Sequence, residues 1–292
     1  MYRKIITGHD GSEGGDDALA LADALRRATG AELTVIGVFP EGPYVDHDQT
    51  VEYARKVEAA ADRLGVESDA FPASSPARGL NDAAEELDAD LVVVGSKRET
   101  SPGHVSAGHV GLQMLHGSPC AVAVAPAGIR NGGFEINEIG VAYDGSDESR
   151  AAQDAAVSLA QATGASIRLI SGVTVESSAF GWGYGVIDLE EEMTEVYGQR
   201  LREAAGRVPK EIEVTEEVLT RGTGHSLIEK AAERVDLLCV GSRGYGPLRR
   251  VLLGSVSALL VKHCPAPVLV VPRGARVTEA GEETATVAGQ AQ

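Results

Sequence analysis

Apolar residues along this chain fall into two arrangements. Some form short, nearly unbroken runs of four or five. Others form longer stretches in which alanine and leucine return every three or four positions. Residues 91–94, 237–240, 121–124 and 268–271 are runs of the first kind, and 4–7 and 139–143 read as short apolar strands. Continuous apolar runs suit strands covered on both faces, as in a parallel sheet. Residues 16–29 and 148–163 carry the second arrangement, which predicts helices. Each ends in Thr-Gly, with Gly30 or Gly164 placed to close the helix in a left-handed turn. Strands are then predicted at 32–39 and 166–173, helices at 50–64 and 189–207, strands at 67–71 and 213–219, and helices at 80–87 and 226–234.

The elements come twice because the sequence does. Asp10-Gly11-Ser12 returns as Asp144-Gly145-Ser146, and Ala28-Thr29-Gly30-Ala31 as Ala162-Thr163-Gly164-Ala165, both offset by 134. Asp90-Leu91 with Gly95-Ser96 returns as Asp236-Leu237 with Gly241-Ser242, and Pro119 and Pro126 as Pro265 and Pro272, all offset by 146. Two constant offsets in register mark a repeat of domain size, with a net insertion of 146 − 134 = 12 residues in the second copy. Strands alternating with helices predict an α/β fold, each copy a doubly wound open parallel sheet of five strands. Such sheets take ligands at the carboxyl ends of their strands, where Asp10, Asp144 and the segment after Gly241 belong. The boundary is expected in the glycine-rich polar stretch 128–133. The acidic, small-residue stretch 275–292 is expected to be a disordered tail.

Composition narrows the partners. The chain has 292 residues and a formal net charge of −17. That charge argues against binding a nucleic-acid polymer or an anionic membrane, yet a small anion can still be held by backbone N–H groups. No stretch reaches the ~18 uninterrupted apolar residues that a membrane span needs. The first residues, Met1-Tyr2-Arg3-Lys4-Ile5-Ile6, do not read as a secretory leader, so a cytoplasmic location is expected. Cys120, Cys239 and Cys264 have no CxxC spacing and read as reduced, buried thiols rather than a metal or redox site.

The segment from Val240 to Ser257 carries the chemistry. Gly241 ends a buried strand, Gly244 follows after two residues, Gly254 after nine more, and Ser255 opens an apolar helix reaching about His263. Glycine lets backbone come close to a phosphate. A serine at a helix start adds its hydroxyl to free N–H groups and a positive dipole end that attract an anion. Ser255 and Ser257 can donate to phosphate oxygens, and Arg243, Arg249 and Arg250 make this the most basic stretch of an acidic chain. The Gly-Lys-[Ser/Thr] of a P-loop is absent.

With these residues the chain resembles the universal stress protein family in its tandem two-domain form, over about residues 1–273. The family's ATP-binding subgroup carries Gly, two residues, Gly, nine residues, then Gly and Ser or Thr; Gly241, Gly244, Gly254 and Ser255 fit it. The resemblance implies two tandem Rossmann-like, adenine nucleotide alpha hydrolase-like domains, at 1–128 and 136–273. It implies an ATP ligand, with or without Mg²⁺. Ribose and phosphate contacts are implied from Gly241, Arg243, Gly244, Gly254, Ser255, Val256 and Ser257, and a nucleoside contact from Asp144. An adenine contact is implied at the end of the second strand, where alignment leaves both Gly172 and Val173 open. It also implies that strands 121–124 and 268–271 pair the copies across a pseudo-two-fold axis, as an intramolecular pseudo-dimer. A homodimer of chains is a further expectation.

The first copy keeps Asp10, Val38, Gly95 and Gly108 in the matching positions but has Arg98 for the second glycine, His109 for Ser255 and Gly111 for Ser257. A weaker or lost site is expected there. The counter-reading is that Lys97, Arg98, His104 and His109 reach a phosphate through their side chains. Phe180-Gly181-Trp182-Gly183-Tyr184-Gly185, in the inserted region, reads as a surface loop packing on a neighbour or as a lid. His47 and Asp48 read as a solvated connection, and Leu189-Glu190-Glu191-Glu192 as an acidic helix start.

Three functions fit. The first is an ATP-binding regulatory or stress-response protein, in which occupancy biases conformation or partner binding. The second is a structural interaction protein with no physiological nucleotide. The third is a slow ATPase or self-phosphorylating enzyme. Catalysed hydrolysis needs a positioned base, and no glutamate or histidine stands at a telling spacing beside Asp144, so neither a catalytic residue nor a metal ligand is assigned.

Overall fold

The computed structural model describes residues 2–40, 47–97, 100–172, 185–220, 224–242 and 255–272. The first half runs β1 (Lys4–Gly8), α1 (Glu13–Thr29), β2 (Glu32–Pro40), α2 (His47–Asp62), β3 (Glu67–Ala73), α3 (Pro76–Glu86), β4 (Leu91–Gly95), α4 (His109–Leu115) and β5 (Ala121–Ala125). The second runs β6 (Glu138–Ala142), α5 (Asp147–Thr163), β7 (Ser166–Gly172), α6 (Gly185–Ala205), β8 (Val214–Leu219), α7 (Gly224–Ala232), β9 (Leu237–Gly241), α8 (Ser255–His263) and β10 (Val268–Val271). Each half is a five-stranded parallel sheet, and the two join into one ten-stranded sheet of order β3-β2-β1-β4-β5-β10-β9-β6-β7-β8. The seam is antiparallel, with Val268 opposite Val124 and Val270 opposite Val122.

The unbroken apolar runs follow from burial on both faces. Successive strand residues point to opposite sides. Leu91, Val93, Ala121, Ala123, Cys239 and Leu269 enter a core with residues of α1, α2, α5 and α6. Val92, Val94, Val122, Val124, Leu238 and Val268 enter another with residues of α3, α4, α7 and α8. Both cores cross the seam, and the alanines of β5 leave room for α1 and α5, which meet above it. No helix among the described residues is long and apolar enough to cross a membrane.

The repeated residues have mechanical reasons. The Asp90 carboxylate accepts from the N–H groups of Arg3 and Lys4, and that of Asp236 from Asn137 and Glu138, so each pins the start of its half's first strand. Thr29 and Thr163 donate back to Leu25 and Leu159, and Gly30 and Gly164 close their helices with φ of +71° and +78°.

Several helices start earlier than the periodicity predicts: α1 at Glu13, α2 at His47, α3 at Pro76, α7 at Gly224, and α6 at Gly185, which puts Leu189-Glu190-Glu191-Glu192 inside that helix rather than at its start. α3 begins at Pro76 because the Ser75 hydroxyl accepts from Arg78 N–H and proline suits the first turn. α2 begins at His47, so His47 and Asp48 belong to a helix and not to a connection. Tail residues 275–292 and the aromatic loop residues 180–184 lie outside the described residues.

All three cysteines are buried, and burial pushes the Cys120 and Cys264 thiols up to about 12 and Cys239 higher still. A thiol held protonated and out of solvent does not attack a disulfide reagent. The native protein at pH 8 is therefore expected to show no fast-reacting thiol, and the urea-unfolded chain all three, read by titration with a chromogenic disulfide. One equivalent of fast reaction in the native state would contradict this placement.

Candidate functional site

At the carboxyl end of β1 and of β6 the chain makes the same turn. Gly11 and Gly145 take φ of +74° and +86°, a conformation that favours glycine. Asp10 Oδ1 accepts from Ser12 N–H at 3.0 Å, and Asp144 Oδ1 from Ser146 N–H at 2.9 Å and from its hydroxyl. The serine then caps the following helix, Ser12 accepting from Gly15 N–H and Ser146 from Ser149 N–H, both at 3.2 Å. The Asp-Gly-Ser signature is thus a loop that aims an aspartate across the strand ends and starts α1 or α5.

The strand-end glycines serve packing. The start of α1 crosses β4 so closely that a Cβ on Gly95 would overlap the carbonyl of Gly14. A Cβ on Gly241 would lie 2.5 Å from the carbonyl carbon and oxygen of Glu148, at the start of α5. The first glycine of the motif is therefore required by the fold, whatever it does for a ligand.

Each half opens a cavity over these strand ends. In the second half it measures about 140 Å³ among the described residues and brings together Asp144, Gly172, Gly241, Val256 and Ser257 of the expected set, with Glu148 and Tyr197 beside them. Ser255 is the first residue of α8. Val173, Arg243, Gly244 and Gly254 lie outside the described residues. The charged side chains lining the described part, Asp144 and Glu148, are both acidic. Positive charge for a phosphate can come from Arg200, whose guanidinium donates to the Asp144 carbonyl beside the cavity, from the segment holding Arg243, Arg249 and Arg250, from α8, or from a cation.

In the first half the cavity measures about 310 Å³. All four expected residues, Asp10, Val38, Gly95 and Gly108, line it, together with Lys97 and His109. Gly108, not His109, holds the capping position of α4, and no side chain caps that helix. His109 is the first helical residue, so its poor capping propensity is not what distinguishes this site. His104 is exposed, near the Pro102 carbonyl, and does not line the cavity. Arg98 lies outside the described residues.

Two tyrosines that sequence reasoning passed over line the cavities. Tyr53 of α2 donates to the His9 carbonyl at 2.9 Å and meets Phe39 edge-on at 5.0 Å. Burial, with the Asp10 charge nearby, pushes its hydroxyl up to about 12. Tyr197 of α6 lines the second cavity and lies under the Arg200 guanidinium, 5.0 Å from the ring centre. The signal was available: each helix carries a single tyrosine, offset by 144, between the two offsets of the repeat. His9, at the rim of the first cavity, has both ring nitrogens engaged. Nδ1 accepts from Gly11 N–H at 3.2 Å, and Nε2 lies 3.3 Å from Asp16. Burial raises the Asp16 pKa, but hydrogen bonds from Arg63 and His9 outweigh it and hold the carboxyl below its ordinary value. This histidine fixes the turn rather than offering a free base.

The sequence model of the universal stress protein family matches residues 1–126 and 135–272. Universal stress protein Rv2319c of Mycobacterium tuberculosis is 26% identical over 290 residues, 92% of this chain and 99% of that protein. Universal stress protein YxiE of Bacillus subtilis is 34% identical over 146 residues, 47% of this chain and 99% of that protein. The crystal structure of a universal stress protein from Archaeoglobus fulgidus superimposes with a TM-score of 0.64 at 25% identity, covering 93% of this chain and 98% of that one.

Proposed function

The chain belongs to the universal stress protein family, and from that premise we propose that it is an ATP-binding member whose second domain holds the nucleotide. Its role is regulatory: occupancy biases conformation or partner choice in a stress response. The observation that carries this reading is the convergence at one strand-end cavity of Asp144, Gly241, Val256 and Ser257, on a chain whose Gly241, Gly244, Gly254 and Ser255 keep the motif spacing. Asp144 then faces the nucleoside, and the end of β7 faces adenine at Gly172 or Val173. The segment 241–257 takes the phosphates, with Mg²⁺ offsetting the acidic wall. The seam between β5 and β10 joins the domains as an intramolecular pseudo-dimer. Glu148 does stand beside Asp144 on the lining, contrary to the expectation from spacing. A binding role is preferred because Asp144 Oδ1 already anchors the turn through Ser146.

The first domain supports a second reading, a site of its own. Its cavity of about 310 Å³ has Lys97 and His109 on the lining, so that a phosphate there meets the Lys97 ammonium and an imidazole rather than bare backbone.

Native mass spectrometry of freshly purified protein separates the possibilities. The expected spectrum carries the added mass of one adenine nucleotide, lost in Gly254→Asp while the apo mass and melting curve remain those of a folded chain. No added mass, with no thermal shift in millimolar Mg-ATP, favours the interaction protein. Ligand at 100 times its Kd stabilises by about 2.7 kcal/mol, so a real site would register. Steady phosphate release that Asp144→Ala abolishes would instead make the protein an enzyme.

A further inference from the structure

The two cavities are joined by one short helix and one ribbon of chain. Helix α8 puts Val256 and Ser257 on the lining of the second-domain cavity. Roughly 6–12 Å further along at 1.5 Å per residue, its C-terminal end meets the first domain. There Val261 O accepts from Ala107 N–H and Cys264 O from Val105 N–H, both at 2.7 Å. Pro265 has no N–H to give Val261, and Cys264 lies just past the helix, so the neighbouring domain satisfies both carbonyls.

The accepting ribbon alternates. Val105 and Ala107 donate to α8, whereas Ser106 between them faces the other way. Ser106 N–H donates to the Ser96 hydroxyl at 2.9 Å, and its carbonyl accepts from Lys97 N–H at 2.9 Å. Ser96 and Lys97 line the first-domain cavity, as do Gly108 and His109, which follow the ribbon directly. The side chains of Val105, Ala107, Leu260, Val261 and Cys264 are all buried in one core. From the mouth of one cavity to the wall of the other runs a continuous path of backbone hydrogen bonds and packed side chains.

We propose that α8 couples the two cavities: nucleotide held at its first turn orders the wall of the first-domain cavity through residues 105–107. The coupling rests on the reading of the second domain as an ATP site. Its physical basis is helix cooperativity. An isolated helix of nine residues is marginal, because its nucleus is costly and each hydrogen bond depends on its neighbours. A phosphate on the first turn stabilises the helix as a unit, including the last turn on which Val105 and Ala107 depend. Occupancy thus passes as order, without a large displacement, and linkage makes the effect reciprocal. A ligand in the first cavity that fixes Lys97 and His109 tightens binding in the second.

Amide hydrogen exchange of the full chain, resolved by NMR at Val105 and Ala107, tests this with and without saturating Mg-ATP. Binding is followed in parallel by equilibrium dialysis of labelled ATP. The expected result is exchange slowed about fivefold or more at both amides, the lower end of ordinary coupling between sites. Gly254→Asp should abolish the slowing together with the high-affinity ATP. Asp144→Ala serves as a second variant should the first not fold. ATP that binds while both amides exchange unchanged would overturn the coupling and leave the nucleotide reading standing. Slowing that persists in variants without second-domain binding would also overturn it, by locating the cause in the first cavity. Absence of any ATP binding would remove both proposals together.

Discussion

Gly95→Ala is expected to cost about 3 kcal/mol of stability, although it adds one methyl group, and Gly241→Ala is expected to cost about as much. The added carbon has no free volume and no flexible neighbour to push aside. On Gly95 it overlaps the Gly14 carbonyl, and on Gly241 it lies 2.5 Å from the Glu148 carbonyl. Both obstacles are backbone at the start of a helix capped through its preceding turn, so relief requires moving α1 or α5 off the sheet. Overpacking that shifts backbone costs about 1–3 kcal/mol and sometimes more. Gly108→Ala is the control. A Cβ there meets Lys97 Cβ at 3.5 Å, an ordinary contact, so only the poorer capping by alanine at the start of α4 counts, and the change should stay within about 1 kcal/mol. Urea unfolding of the three variants against the parent gives the comparison. Near-equal stabilities would refute the close crossing of helix over strand end.

Asp17→Ala is expected to be nearly as damaging, about 3 kcal/mol, for a different reason. The Asp17 side chain is 3% exposed and receives Gly128 N–H at 2.8 Å, Arg130 N–H at 3.2 Å and the Arg130 guanidinium at 2.9 Å. It ties the segment between the domains onto α1. Breaking a buried ion pair costs about 3–5 kcal/mol, and Arg130, being 25% exposed, regains some water and brings the loss to the lower end. Asp17→Asn keeps the shape and one of the two accepting oxygens, but sets an NH2 donor against the other N–H and loses the charge, so it should lie close to Ala. The same unfolding measurement decides it, and an Ala variant within 0.5 kcal/mol of the parent (about the scatter of neutral surface changes) would show the tie to be unimportant. The second domain has Ala151 at the corresponding position, so this tie belongs to the inter-domain segment rather than to the shared fold.

Much of the architecture was legible because the repeat doubled every signal. Leu91 to Val94 and Leu237 to Val240 are apolar without a break, and only a strand between two layers of helices uses both faces in that way. Thr-Gly-Ala and Asp-Gly-Ser recur because each is a local device, a helix end or an Asx turn with a cap, whose chemistry closes within a few residues. What escaped was tertiary. Nothing in Asp16-Asp17 distinguishes the carboxylate held near the surface by Arg63 from the one buried against residues more than a hundred positions away. Tyr53 and Tyr197 look like ordinary helix residues until α2 and α6 fold over the turns that hold Asp10 and Asp144. The role of Gly95 and Gly241 was half visible. The sequence offers a glycine at a strand end, and a phosphate and a crossing helix ask for the same absence of a side chain. In the first domain the loss of motif residues points to a weakened or lost site, and the cavity of about 310 Å³ there carries Lys97 and His109, two of the side chains named in the counter-reading.

The central claim is that backbone between Gly241 and Ser257 receives a triphosphate. A crystal grown in saturating Mg-ATP examines it most directly. The account predicts a nucleotide in the second domain, with its phosphates against the start of α8 and its ribose beside Asp144. Density showing that cleft filled by the protein's own side chains, with no nucleotide in it, would contradict the account.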